Sequence, residues 1–349
     1  MQTNNYYCLI MAGGVGRRFW PCSRKALPKQ FLDFFGMGKS FLRMTFDRYK
    51  EIVPQENIYV STHRDYKDLV YGILPELAEN RLICEDERRN TAPAIAYAMR
   101  VIADDSPDAT VVVAPCDHLV LKADEFKEAI LKGLDFASSQ DKLLTIGIRP
   151  GRPETGYGYI QVGEKDEGEN GFYKVKTFIE KPAREFAEIF VQSNEFFWNS
   201  GIFLWNMHTI EKALDEHTNE ISQYTGLDDP DFASCPNISI DYSLMEKAEN
   251  VYVQICDFGW ADLGTWESLY EAAPKDRCGN VVLNCNTLLY DCKNTVVALP
   301  RGKLAVLQGL DGYLVAVRDD VLLVCRKNDQ NAIRKFVNDV EMRFGEKFS

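Results

Sequence analysis

The chain has 349 residues, 46% hydrophobic and 26% charged, with 40 Lys and Arg against 52 Asp and Glu for a formal net charge of −12. That balance suits a globular chain of one large and one small domain, and its acidity argues against nucleic acid or a membrane surface as partner. No apolar run has the length of a transmembrane helix, the amino terminus lacks a secretory leader, and the ten cysteines include no C-x-x-C pair, so a cytoplasmic protein with reduced thiols is expected.

The apolar run Tyr6 to Met11 reads as a buried first strand. It opens into Gly13, Gly14 and Gly16, then into a loop with five cations (Arg17, Arg18, Arg24, Lys25, Lys29) and no acid before Asp33. Glycines let backbone N–H groups approach an anion, and Arg and Lys neutralise what those amides hold. In an acidic chain this local positive charge points to a polyphosphate site. It is neither a Rossmann fingerprint, because Phe19 stands where the third glycine belongs, nor a P-loop, because no G-x-x-x-x-G-K-[ST] string occurs.

Short apolar runs at 57–60, 81–84, 110–114 and 143–148 read as further strands, with helices at 91–103 and 123–138. Alternating strands and helices predict an α/β doubly wound, mostly parallel, Rossmann-like sheet, with ligands at the carboxyl ends of strands. Asp117 follows the strand at 110–114, where a carboxylate holds Mg²⁺ beside phosphates or simply ends a turn. Asn90 or Thr91 caps the helix that follows. Glu180 and Lys181 end another apolar strand, where an ion pair is the plain reading, and Asp262 lies in an aromatic-rich turn. After about 275 the pattern changes to short strands at 281–283, 287–290, 295–299, 304–307, 313–317 and 321–325, then a helix at 329–343. This predicts a domain of residues 1–275 and a small β-rich one of 276–349, either β-helix-like or a compact sheet.

The string AGGVGRRFWPCSRKALPKQF resembles the signature of the sugar-nucleotide pyrophosphorylases, and Trp20-Pro21, Ser23-Arg24 and Pro28-Lys29-Gln30-Phe31 resemble the mannose-1-phosphate guanylyltransferase branch. Arg17 and Phe19 depart from that branch, where Thr and Leu are common. The segments R-N-T-A-P, A-P-C-D-H, E-T-G-Y-G-Y-I, F-I-E-K-P, W-N-S-G-I-F and W-A-D-L-G-T follow in the family's order. The resemblance covers about 1–270 and implies a nucleotide-diphospho-sugar transferase fold. It also implies Mg²⁺-assisted in-line transfer of GMP from GTP to mannose 1-phosphate, giving GDP-mannose and pyrophosphate. It assigns Gly13, Gly14, Gly16, Arg18, Lys29, Arg89, Asn90 and Thr91 to the nucleotide, with Arg18 and Lys29 as catalytic charges. Gly158, Glu180, Lys181 and Asn199 fall to the sugar phosphate, and Asp117 and Asp262 to the metal. A homodimer is a further expectation, and the isomerase fused to some relatives is expected to be absent. The alternatives are another sugar 1-phosphate or nucleotide on the same fold, a non-catalytic regulatory paralogue, and hydride transfer, which lacks its fingerprint.

Overall fold

Tyr6–Met11 forms strand β1, and Cys8, Leu9 and Ile10 have no exposed surface. A strand buried on both faces fits between parallel neighbours. Strands β2 (Ile58–His63) and β4 (Thr110–Pro115) flank it in parallel, and β3 (Leu82–Glu85) pairs in parallel with β2. The computed structural model describes residues 5–166, 171–227 and 230–349. The strands β5 (His118–Val120), β6 (Leu143–Ile148), β7 (Tyr159–Lys165), β8 (Phe172–Ile179), β9 (Phe196–Asn206) and β10 (Val251–Cys256) follow. Among the described residues, all but β5 of these first ten strands join one nine-stranded sheet in the order β3-β2-β1-β4-β9-β6-β10-β8-β7.

That sheet is mixed, which corrects the expectation of a mostly parallel one. β9 runs antiparallel between β4 and β6, and β8 runs antiparallel to β10 and to β7. Unbroken apolar runs mark strands buried on both faces but not their direction: β4 and β6 each pair in parallel on one side and antiparallel with β9 on the other. Strand β8 instead exposes part of its length, as an edge-region antiparallel strand can. Helices α1 (Phe41–Lys50), α2 (Lys67–Ile73), α3 (Thr91–Asp105), α4 (Ala123–Ser138), α5 (Arg184–Ser193), α6 (Met207–His217) and α7 (Asn219–Ser222) connect these strands. On α3, Ile95, Met99 and Ile102 share one face and pack in a single core with Leu9, Tyr59, Val111 and Trp205.

By compactness, Met1–Gly13, Phe46–Pro115 and Val120–Trp260 form one unit, and Gly14–Thr45, Cys116–Leu119 and Ala261–Ser349 form another. The second unit thus takes in the cationic loop. After β11 (Trp260–Asp262) and α8 (Trp266–Ala272), its chain alternates between two small sheets. Strands β12 (Val281–Leu283), β14 (Val296–Ala298) and β16 (Tyr313–Arg318) pair in parallel, with β17 (Val321–Arg326) antiparallel at the end. Strands β13 (Asn286–Tyr290) and β15 (Leu304–Gln308) pair in parallel with each other. Helix α9 (Gln330–Phe344) buries Ile333 and Val337 in a core shared with Phe19, Trp20, Trp266 and Leu314. Among the described residues, no helix is long and apolar enough to cross a membrane.

Candidate active site

The cationic loop is seated by its own aromatic residues. Phe19 packs 4.8 Å from Phe34 and 5.2 Å from Trp266, ring centre to ring centre, and Trp20 Nε1 donates to Phe348 O at 2.7 Å. Gln30 Nε2 donates to Gly14 O at 2.7 Å and Ser23 Oγ to Val15 O at 2.8 Å, which ties the turn to the segment after it. Gly16 has φ +69°, and a Cβ there would come within 2.7 Å of Lys29 Cγ. Only glycine meets both demands without strain. The W-A-D-L-G-T segment is fixed from its other end, where Thr265 and Ser268 form a reciprocal capping box at the start of α8.

This scaffold lines a cavity of about 660 Å³ with Gly14, Gly16, Arg18, Lys29, Asp117 and Asp262. Six residues expected at the polyphosphate and metal site therefore do meet. Lys29 is buried, forms an ion pair with Asp117, and donates to Leu263 O at 3.2 Å. Although 145 positions separate the two aspartates in sequence, their ligand atoms and one of His118 lie within 4.8 Å of one another.

Electrostatics sets the two aspartates apart. Burial would lower the Lys29 ammonium, but Asp117 and then Asp262 outweigh it and hold the group above its ordinary value. Burial likewise opposes charge on Asp117, yet the Lys29 charge, with His118, keeps that carboxyl below its usual range. Asp262 is held above its usual range by burial, which Lys29 does not overcome, with repulsion from Asp117 in addition. A second cation would relieve that strain. Two carboxylates offer the hard oxygens that a divalent ion such as Mg²⁺ takes, and phosphate and water complete such a set. The donor set fits the metal, and His118 adds a nitrogen that Mg²⁺ does not require.

Four residues of this cavity were given no role from sequence: His118 and Gly264, and Arg334 and Asn338 on α9. His118 stood next to Asp117 in A-P-C-D-H and was legible there. The pair on α9 lies far beyond the last motif, and only its i, i+4 spacing hinted at a shared face.

In the sheet unit, the residues expected at the nucleotide are Gly13 of the glycine turn and Arg89, Asn90 and Thr91 near the base. Gly13 lies beside Glu85, whose Oε1 is 3.8 Å from where a Gly13 Cβ would stand, and Arg88 Nε donates to Gly13 O at 3.3 Å. Glu85 is buried and accepts from Ser61 Oγ at 2.8 Å, and burial pushes its carboxyl up to about 7. The expected Arg89, Asn90 and Thr91 each bond to neighbouring protein groups. Arg89 donates to Ala233 O at 2.5 Å, Asn90 Oδ1 accepts from Thr91 N at 2.9 Å, and Thr91 Oγ1 accepts from Ile240 N at 2.9 Å. Neither Glu85 nor Arg88 was singled out from sequence.

The expected sugar residues do cluster. Glu180 pairs with Lys181, and a Cβ at Gly158 would collide with Glu180 Oε2, so the glycine makes room for that carboxylate. Asn199 N donates to Gly158 O at 2.8 Å. Lys181 has φ +50°, a left-handed conformation uncommon for a side-chain-bearing residue and frequent where function holds backbone strain.

The family profile of the nucleotidyl transferases matches residues 7–278. A mannose-1-phosphate guanylyltransferase of Sinorhizobium fredii (strain NBRC 101917 / NGR234) is 34% identical over 94% of this chain and 66% of its own length. One of Escherichia coli (strain K12) is 33% identical over 98% of this chain and 74% of its own. A crystal structure from Thermus thermophilus, described as a mannose-1-phosphate geranyltransferase, superposes with a TM-score of 0.88 at 32% identity, covering 97% of this chain and 99% of that one. With a cationic glycine turn, a buried lysine and two converging aspartates at the expected positions, the chain belongs to the nucleotidyl transferase family.

Proposed function

We propose that this chain transfers GMP from GTP to mannose 1-phosphate, releasing pyrophosphate. The observation that carries the reading is Lys29, buried between Asp117 and Asp262 beneath a cationic glycine turn. The names of its relatives supply the sugar and the nucleotide. A phosphate oxygen of mannose 1-phosphate attacks the α-phosphorus of GTP in line. The new O–P bond forms as the bond to the β-phosphate breaks, and pyrophosphate leaves with the negative charge. The attacking oxygen is already anionic, so no protein nucleophile or base is required, and catalysis rests on positioning and charge.

Arg18 and Lys29 neutralise the triphosphate and the charge that grows on the leaving group. Backbone N–H groups of Gly13, Gly14 and Gly16 approach its oxygens. Asp117 and Asp262 would hold Mg²⁺, which supplies further charge neutralisation on the phosphates. Glu85, whose carboxyl sits at about 7 in the free chain, gives up its proton as it accepts from the adjacent N1–H and N2–H of guanine. Arg89, Asn90 and Thr91 shape the loop beside it. Lys181 anchors the sugar phosphate, while Gly158, Glu180 and Asn199 build the sugar site.

This activity is assigned to residues 1–275, with Arg334 and Asn338 of the following domain completing the cavity wall. Residues 276–349 form a β-helix-like domain, a reading supported by the parallel pairing of alternate strands. The exposed Leu288, Tyr290, Leu304 and Val306 on β13 and β15 give a homodimer an apolar face. The reaction takes place in the cytoplasm. Pyrophosphate release with each of GTP, ATP, UTP and dTTP, against mannose and glucose 1-phosphates, tests the proposal. GTP with mannose 1-phosphate should exceed every other pair, and a preference for another pair would replace the reading.

A further inference from the structure

We infer that Asp241 is the residue that reads a hydroxyl of the sugar phosphate, and that Asn199 and Thr91 position it. The inference rests on the sugar 1-phosphate reading above and narrows it to one carboxylate. The W-N-S-G-I-F motif draws attention to Asn199, but its amide is already committed to protein. Its Oδ1 accepts from Thr145 Oγ1 at 3.1 Å and from Gly201 N at 3.1 Å, and its Nδ2 donates to Asp241 Oδ1 at 2.7 Å. One N–H remains of the four bonds an amide can make.

Asp241 is the reverse case. A carboxylate accepts at about four lone-pair positions. Asn199 takes one, and no other side chain among the described residues donates to the group. The residue as a whole is half-buried. It opens a π-helical turn, Asp241–Met245, a rare conformation frequent at functional sites. The turn is braced by the loop that carries R-N-T-A-P: Ile240 N donates to Thr91 Oγ1 at 2.9 Å, and Ala92 N to Ile238 O at 3.2 Å. Thr91 therefore sets Asp241 in place.

The charge around it selects the ligand. Burial raises the Asp241 carboxyl above its usual range, and the nearby Glu180 carboxylate raises it further. Glu180 in turn stands against Gly158, whose carbonyl accepts from Asn199 N. Two acceptor-only groups thus converge beside Lys181. Such a pair repels a carboxylate or phosphate and is satisfied by O–H donors. A polyol whose phosphate lies on Lys181 meets that demand.

Asp241→Asn tests this with little change of shape. Its carbonyl can still accept from Asn199, while an N–H₂ replaces the remaining oxygen. The probes are mannose 1-phosphate and its 2-, 3-, 4- and 6-deoxy forms, with GTP. The variant should lose roughly 10–100-fold in kcat/KM for mannose 1-phosphate, as loss of a hydrogen bond to a charged group does. Its KM for GTP should not move, and for one deoxy sugar the two proteins should turn over alike. Thr91→Val, which keeps the carboxylate but frees the turn, should raise KM for the sugar phosphate, and Thr91→Ser, which keeps the hydroxyl, should restore it. An equal loss on every deoxy sugar, or a parallel rise in KM for GTP in Asp241→Asn, would overturn the inference. A wild-type protein inactive on mannose 1-phosphate would instead remove the proposed function, and this inference with it.

Discussion

Lys29→Met probes the centre of the site, because it removes one buried charge and keeps much of the side chain's bulk. Lys29 is the cation that sits on Asp117, and its charge also reaches Asp262. Without it, two carboxylates face each other with ligand atoms within 4.8 Å. At an effective dielectric of about 20, unit charges at that distance repel by about 3–4 kcal/mol, or roughly 2–3 pKa units. The pair should then retain a proton to a higher pH than in the wild type. The missing charge should also cost about 10²–10³ in kcat/KM, as removal of one preorganised group does. Pyrophosphate release measures that loss. Thermal unfolding with and without Mg²⁺ measures the repulsion, and Mg²⁺ should raise the variant's Tm by more than the wild type's. A variant with turnover within threefold of wild type, or with an unchanged Mg²⁺ response, would refute the reasoning.

Glu85 makes a pH prediction. Its carboxyl rises from 4.5 to about 7 on folding, by burial that Ser61 and Arg88 only partly offset. The folded chain then binds the proton more tightly than the unfolded one, so this contribution is full below about pH 4.5 and fades as pH climbs to 7. Unfolding free energy should drop by about 3 kcal/mol across that window, and Glu85→Gln should be free of the drop in urea titrations at pH 5 and 7. Equal slopes in the two proteins would count against it. Arg334→Ala tests the contribution of α9 to the cavity. Ile333 and Val337 anchor that helix, so folding should be intact while KM for GTP rises about tenfold, and an unchanged KM would leave Arg334 without a role.

How much of this was legible depended on distance along the chain. The buried strands announced themselves because burial on both faces leaves unbroken apolar runs, as in Val111-Val112-Val113. Strand β9 had no announcement of direction, since register and polarity come from its neighbours β4 and β6. Lys29, Asp117 and Asp262 were found through motifs, yet their meeting is a property of the fold. Asn199 was singled out through its motif, but its hydrogen bonds point to Asp241, which a motif-by-motif reading passes over. Glu85 looked like one acid among several in E-D-E-R-R-N. Only the structure distinguishes it, by its burial beside Gly13.

The account stands most directly on turnover of the purified chain with GTP and mannose 1-phosphate in the presence and absence of a chelator. It predicts GDP-mannose and pyrophosphate in equal amounts, with activity abolished by the chelator and restored by excess Mg²⁺. No product, or a rate indifferent to the chelator, would contradict it.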